Sequence, residues 1–332
     1  MSTTANPASS PSLGVPRRRS RDRRRSLDRL GDGLLYGVCA LAALLSIVVL
    51  VGLAYQIVHG ASPAISMFGL GFVTSTEWQP TFGVFGAGTL LFGTAVSSFF
   101  ALLLGAPIAV AIGLYLSLLA PKGLRIVISP LVEMLAAIPS VILGFWGLIV
   151  LAPFVQKNVE PWLHDKLGFI PLFGPPQTTG SSVFTASLIL TIMVVPIIAS
   201  ISRDLFLAVP RDVQDGASAL GATRWEVVRG VVLPSTFSGV VAASLLGLGR
   251  ALGEAIAVAQ VIGAGEQIRA SLFETGDTLA ARIANQFPGA ITEMHKASLY
   301  YLGVILLVIG LVSNVGAQWI GRRFDYQQAV TK

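Results

Sequence analysis

Apolar residues form long runs with almost no charges along most of this chain. Six runs are long enough to cross a membrane, and they cover residues 34–58, 88–119, 126–155, 183–201, 231–262 and 297–320. About 20 apolar residues in a helix span the hydrocarbon of a bilayer, and a helix satisfies its own backbone hydrogen bonds there. The pattern predicts an all-α polytopic membrane protein, with about six transmembrane helices in a domain from residue 30 to 325.

Two of the predicted spans contain helix breakers and are longer than a bilayer requires. Pro107 lies in the second span and Pro139 in the third. Proline removes a helical N–H and bends the helix. We expect tilted or kinked helices of the kind that line a pathway, and Ser140, beside the second break, is a candidate pathway residue. Proline and glycine are also common in membrane helices that have no such role.

The polar ends of the chain predict its orientation. Residues 1–29 are rich in Ser, Pro and Arg, with eight arginines between Arg17 and Arg29, and are predicted to be a disordered tail. A basic cluster directly before an apolar run more often sets orientation and contacts anionic lipid than binds nucleic acid, so no nucleic-acid partner is expected. A cytoplasmic tail places seventeen Lys and Arg inside and five outside. Both termini, including residues 326–332, are therefore expected in the cytoplasm.

Composition argues against several kinds of chemistry in this chain. It is 53% hydrophobic and 12% charged, with one cysteine, Cys39, and three widely separated histidines. These residues provide no disulfide framework and no zinc-ligand spacing. A phosphate-binding G-x-x-x-x-G-K-[ST] loop is also missing from the sequence. We expect no metal, no cofactor and no enzymatic activity, so any ATP would be bound and hydrolysed by another chain.

The charged segment 209–230 is predicted to be a structured cytoplasmic loop. Pro210 and Asp212 suit the start of a helix, and Gly221 suits the left-handed turn that ends one. Thr223 and Glu226 have the spacing of a capping box, which starts a second helix. Small residues from 216 to 219 would let another protein approach the first helix closely. The pattern favours a docking element.

Two charges lie within the predicted fifth span. Arg250 and Glu254 are one helical turn apart, and a charge at mid-membrane usually faces a cavity or another charge. Arg250 can bind an oxyanion bidentately, or it can form a structural pair with Glu254 that Glu133 extends. Both roles remain open for Arg250. Pairing or gating is favoured for Glu133 and Glu254, because carboxylates repel an anion.

The docking segment resembles the cytoplasmic EAA loop of ABC-importer permeases. That loop has Glu-Ala-Ala, three residues, Gly, nine residues, Ile, one residue and Leu-Pro. The matching positions in this chain are Asp215, Gly216, Ala217, Gly221, Val231, Leu233 and Pro234. Leu220 directly precedes the glycine of the pattern and is included in the candidate coupling loop. Asp replaces Glu and Gly replaces the first Ala, and this glycine loosens the helix by up to about 1 kcal/mol relative to Ala. The resemblance implies that this loop couples the permease to an ATPase.

Two further stretches resemble one particular group of ABC-importer permeases. "EMLAAIPSVILGFWGLIVLAP" and "GLGRALGEAIAV" are similar to the C-type permeases of bacterial phosphate importers, over roughly residues 30 to 325. This implies a type I ABC-importer fold in the bacterial cytoplasmic membrane. It also implies a second, A-type permease, two ATP-binding subunits and an extracytoplasmic phosphate-binding protein as partners. A permease for another oxyanion such as sulfate, or an ion-coupled secondary transporter that works alone, remains an alternative.

The charge asymmetry predicts the sidedness of three positions. Reporters fused at Lys332 and near Lys122 should be cytoplasmic, whereas one fused near Glu274 should be external, because the positive-inside rule decides orientation. Paired alkaline phosphatase and fluorescent-protein fusions measure this directly. A cytoplasmic signal at Glu274 would contradict the six-span topology.

Overall fold

The computed structural model describes residues 19–325, with side chains described for residues 32–316, 318 and 319. The chain forms two units, Met1–Gln56 and Ile57–Lys332. The helices are α1 (Arg19–Phe68), α2 (Gly88–Leu119), α3 (Lys122–Ala136), α4 (Ser140–Leu167), α5 (Val183–Ala208), α6 (Arg211–Ala219), α7 (Arg224–Gly253), α8 (Ile256–Val261), α9 (Leu279–Gln286) and α10 (Glu293–Asp325). A short helix occupies Gly71–Thr74, and 3-10 turns lie at Pro80–Phe82, Pro171–Phe173 and Phe287–Gly289.

The described helices confirm the predicted fold class. Six are long and apolar enough to cross a membrane, namely Asp32–Phe68 of α1, α2, α4, α5, α7 and Glu293–Gly316 of α10. In the first unit, the side chains from residue 32 to 53 are exposed and mostly apolar. A helix that is apolar on all sides is suited to lipid contact.

The amino-terminal tail differs in part from the prediction that residues 1–29 are disordered. Helix α1 begins at Arg19, so the predicted disorder is wrong for residues 19–29. Arginine is a good helix former, and extending an existing helix costs much less than nucleating a new one. Residues 1–18 and the predicted tail 326–332 lie outside the described residues.

The predicted third span, residues 126–155, is wrong as a single kinked helix. Helix α3 ends at Ala136 and α4 begins at Ser140, so the helix is fully interrupted between them. Pro139 lacks an N–H and disfavours a helical conformation at Ile138, which explains the interruption. The membrane-crossing helix is α4, whereas α3 is a separate helix without any buried residue.

The predicted fifth span, residues 231–262, is also interrupted. Helix α7 ends at Gly253 because the backbone of Glu254 is extended, and α8 begins at Ile256. The Glu254 carboxylate accepts a hydrogen bond from the Ala257 N–H at 3.4 Å. A side chain that satisfies a free N–H at the start of a helix stabilises that start.

Close helix packing forms the core of the second unit. Helices α2 and α5 make the most extensive pair, and α7 packs on both. A Cβ at Gly105 would lie 2.8 Å from Cγ2 of Val194, and one at Gly247 would lie 2.7 Å from Cδ1 of Ile198. Membrane helices associate through such close approach, because lipid provides no hydrophobic force between them.

A folded segment covers the outer ends of the helices, defined here as the ends away from α6. Residues 263–278 run from α8 to α9 and contact the first turns of α2 and α5. Thr89 Oγ1 in the first turn of α2 donates to the Glu266 carbonyl at 3.4 Å, and the Phe184 N–H donates to the Leu272 carbonyl at 2.8 Å. Phe273 is fully buried in this segment.

A buried ion pair holds this outer segment in place. Arg282 Nε donates to Asp277 Oδ2 at 2.6 Å, and the two side chains are only 4% and 2% exposed. The guanidinium also lies 3.4 Å from Glu266 Oε1 and 5.6 Å from the centre of the Trp78 ring. Burial raises the pKa of the Asp277 carboxyl, and the Arg282 charge and the Thr278 N–H partly offset that rise.

We expect Asp277→Asn to destabilise the protein strongly. It leaves the buried Arg282 guanidinium with only the half-exposed Glu266 as a counter-charge. Breaking a buried ion pair by removing one partner costs about 3 to 5 kcal/mol. The melting temperature of the purified protein in detergent measures the effect. Lys296→Ala is the control, because Lys296 pairs with Glu293 at 3.3 Å on the exposed surface, where such pairs contribute about 0 to 1 kcal/mol. Equal melting temperatures for the two variants would contradict a stabilising role for the buried pair.

Candidate functional site

The segment between α5 and α7 has the predicted form of helix, glycine turn and helix. Gly221 has φ +92°, in the left-handed region, as the sequence predicts. The Leu220 N–H donates to the Gly216 carbonyl, and the Ala222 N–H donates to the Ala217 carbonyl, each at 3.2 Å. These bonds close the end of α6, so the chain reverses where glycine has no steric penalty.

The predicted capping box is present at the start of α7. Glu226 Oε2 accepts from the Thr223 N–H at 2.7 Å and from Thr223 Oγ1 at 2.8 Å, while Thr223 Oγ1 accepts from the Glu226 N–H at 3.4 Å. This reciprocal bonding satisfies helix-start donors. It fixes the angle at which α7 leaves the loop.

The surface of this loop is open. No residue of α6 is buried, and nothing lies within 4 Å of a Cβ placed at Gly216. Asp215 is exposed, Ala217 is half-buried, and Leu233 and Pro234 follow in the continuous helix α7. Exposed apolar side chains accompany this polar helix, with Leu220 at 91% and Trp225 at 64% exposure.

The two helix interruptions lie next to each other. Helix α8 packs on the beginning of α4. A Cβ at Gly144 would lie 2.8 Å from Cα of Ala257, and one at Gly147 would lie 3.0 Å from Cγ1 of Val261. Both helices therefore run in the same direction from neighbouring starting points. Ser140 begins α4 four residues before Gly144, and Glu254 lies three residues before Ala257, just ahead of the start of α8.

Arg250 lies just before one of these interruptions, in the last turn of the α-helical part of α7. It lines a groove of about 1020 Å³ between α5, α7 and α10. The guanidinium makes no hydrogen bond or ion pair with any described residue. A membrane charge without a protein partner is available for a mobile anion.

The structural pair considered for Arg250 and Glu254 is not formed among the described residues. Glu254 lies beyond the end of α7 and binds the Ala257 N–H instead, because the change of backbone direction takes it off the helical face of Arg250. Glu133 does not extend such a pair either. Its Oε1 lies 2.9 Å from Nη1 of Arg203.

Arg203 is a site residue that sequence reasoning missed. Its side chain is 15% exposed and contacts both Glu133 on α3 and Asp204 on α5, each at 2.9 Å. In the sequence, Arg203 is one of the seventeen Lys and Arg residues expected on the cytoplasmic side. A signal for the pair was present, because Glu133 is a charge in an apolar run and needed a partner.

Curated relatives cover most of the chain. It is 41% identical over 313 residues to the phosphate transport system permease protein PstC of Mesorhizobium japonicum, with 93% of this chain and 95% of the relative covered. It is 42% identical to the PstC of Haemophilus influenzae, covering 84% of this chain and 89% of the relative. PstC 1 of Mycobacterium tuberculosis is 37% identical, covering 85% and 90%.

A solved structure and a protein-family model also match the chain. A bacterial alginate ABC transporter in complex with a periplasmic protein has a TM-score of 0.58 at 20% identity, covering 89% of this chain and 96% of that chain. At this identity the likeness shows the fold alone. Residues 105–326 match the family described as "Binding-protein-dependent transport system inner membrane component". The chain belongs to this family of transport permeases and, within it, to the PstC group.

Proposed function

We propose that this chain is a membrane-spanning permease subunit of an ATP-driven importer of inorganic phosphate. The relatives that match it over most of its length are named phosphate transport permeases. The observation that carries the physical argument is Arg250, whose guanidinium faces a groove between membrane helices and pairs with no described residue. A guanidinium can bind two phosphate oxygens at once.

The interrupted helices beside Arg250 support a pathway at this place. Peptide groups freed by an interruption are tolerated within a bilayer only where protein or water covers them. Ser140 begins the long helix α4, and free N–H groups at a helix start favour an anion. Glu254 and Glu133 are occupied by an N–H and by Arg203, so we assign them to the shape and gating of the path.

The cytoplasmic loop is the proposed contact with the ATPase. Helix α6 has no buried residue, and the exposed apolar Leu220 and Trp225 provide surface that a partner protein can bury. Asp215, Gly216 and Ala217 form the approachable part of the helix. Two ATP-binding subunits would dock on this permease and on a second, A-type permease that completes the path, and they would hydrolyse ATP.

We place the chain in the bacterial cytoplasmic membrane with both termini in the cytoplasm. The six apolar helices and the excess of Lys and Arg on the side of the 209–230 loop support this orientation. An extracytoplasmic phosphate-binding protein would then deliver the anion to the outer segment, residues 263–278.

Uptake by the assembled transporter tests the proposal. Liposomes containing the chain, its A-type partner and the ATPase should import labelled phosphate when ATP and the binding protein are supplied, in preference to sulfate. Sulfate import instead of phosphate import would favour the other oxyanion. Phosphate import by the chain alone, under an ion gradient and without ATP, would favour a secondary transporter.

We expect Gly221→Val to uncouple transport. Valine at φ +92° costs about 1 to 2 kcal/mol, which lowers the population of the docking conformation about 5- to 30-fold. The variant should insert normally but lose most of the ATPase stimulation, measured as phosphate release in liposomes. Gly123→Val is the control, because Gly123 lies in α3 with open space around it. Unchanged stimulation in Gly221→Val would show that the turn is unimportant.

We expect Arg250→Gln to lower phosphate uptake about 10- to 100-fold at normal abundance. It replaces the guanidinium by a neutral amide, with a net loss of about one charge-assisted hydrogen bond, about 1.5 to 3 kcal/mol, and it breaks no ion pair with a described residue. Arg250→Lys keeps the charge without the planar fork, so it should retain some uptake and discriminate less between phosphate and sulfate.

The control for Arg250 is the same substitution in helix α3, Arg125→Gln. Arg125 lies outside the groove and outside the segment 263–278, and it forms no ion pair with a described residue. It should transport normally. Full phosphate uptake by a stably expressed Arg250→Gln, Glu254→Gln double variant would rule out the substrate role of Arg250.

A further inference from the structure

Helix α10 carries two amide side chains into the groove that Arg250 lines. Asn314 and Gln318 are four residues apart, with Gly310 one turn before them, so the three share one face of the helix. All three line the groove. The opposite wall comes from apolar side chains of α5, including Ile197 and Ile201.

These amides have no protein partners among the described residues. Neither Asn314 nor Gln318 makes a side-chain hydrogen bond there, and both are exposed on the helix surface. They lie in or next to a span with a mean hydropathy of 2.0 over its most apolar window. Leaving an amide unbonded in an apolar medium costs several kcal/mol, so contact with water, a polar ligand or a polar protein surface is strongly favoured.

The order of the residues along the groove follows from the helix directions. Helix α7 starts at the cytoplasmic loop and ends beside Arg250, whereas α10 starts at the outer end, where His295 Nε2 lies 3.0 Å from Gln286 Oε1 of α9. The two helices are therefore antiparallel. Asn314 is followed by Gln318 about 6 Å nearer to the cytoplasmic end, given the helical rise of about 1.5 Å per residue.

We propose that Asn314 and Gln318 contact the transported anion after Arg250, on its way to the cytoplasmic end of the groove. This rests on the proposed phosphate import. Arg250 would bind the oxyanion through a charged contact. Asn314 and Gln318 would then bind it through two neutral contacts.

The chemistry of an amide suits this role. Its NH₂ group donates to phosphate oxygens, and its carbonyl accepts from the P–OH of hydrogen phosphate. Sulfate at neutral pH has no proton to donate, so it satisfies only the NH₂ group. A neutral contact also holds a multivalent anion more weakly than a guanidinium, which favours release, because a transport path requires binding that is weak enough to leave.

Thiol labelling tests whether these positions face an aqueous path. The chain has a single cysteine, so Cys39→Ser provides a cysteine-free background. In the assembled transporter in liposomes, Asn314→Cys and Gln318→Cys should react with a charged, membrane-impermeant methanethiosulfonate. Val312→Cys and Val315→Cys are the controls, since both are exposed on α10 but do not line the groove. We expect the controls to react slowly and inorganic phosphate to slow labelling at 314.

Uptake provides the second measurement. Asn314→Leu should lower phosphate uptake roughly fivefold, the worth of about one neutral hydrogen bond, and should narrow the preference for phosphate over sulfate. Asn314→Gln should restore part of the uptake. Val315→Leu should transport normally. Protein abundance and labelling are measured on the same samples, so a folding defect is detected separately from a transport defect.

The outcomes separate this inference from the proposed function. If the unmodified transporter imports no phosphate, the proposed function fails. If it imports phosphate and Arg250→Gln abolishes uptake, but Asn314→Leu transports at the full rate, the inference about α10 is wrong and the proposed function stands. Labelling of positions 314 and 318 no faster than of 312 and 315 would also overturn the inference, since those residues would then face lipid or a covered protein surface.

Discussion

Lipid cannot hydrogen-bond a peptide group, so a helix stops inside a bilayer only where protein or water covers the freed backbone. In this chain α3 and α7 end where α4 and α8 begin a few residues later, and the two new helices pack together. Gly144 and Gly147 permit this contact, because a side chain there would collide with α8 or α5. The positions of Ser140, Arg250 and Glu254 follow from this pair of interruptions.

The charges around that core are arranged in different ways. Asp277 and Arg282 form a buried pair that holds the outer segment, and Glu133 and Arg203 join α3 to α5 near the end of α5 that leads into α6. Arg250 has no such partner among the described residues. A paired charge stabilises one arrangement of helices, whereas an unpaired charge in a groove can bind a ligand.

Sequence patterns predicted local features well and the extent of interrupted spans poorly. The left-handed Gly221 and the Thr223–Glu226 capping box depend on a few neighbouring residues, so both were readable from the chain. Whether Pro139 kinks a helix or ends it depends on what covers the freed peptide groups, and α8 is distant in sequence. Arg282 looked like an ordinary loop charge, because its burial requires Asp277 and Trp78 to fold around it.

The sequence by itself determined that this is a membrane protein with six apolar helices and a structured loop at residues 209–230, because hydropathy and helix-end signals act over one or two turns. Its resemblance to phosphate permeases also came from short stretches of residues. Only the tertiary structure decided which charges are paired, that Glu254 leaves the face of Arg250, and that Asn314 and Gln318 share a groove with it. Those outcomes depend on contacts between helices that are distant in the chain. The free energy of a charge depends on the protein groups and water that surround it in those contacts.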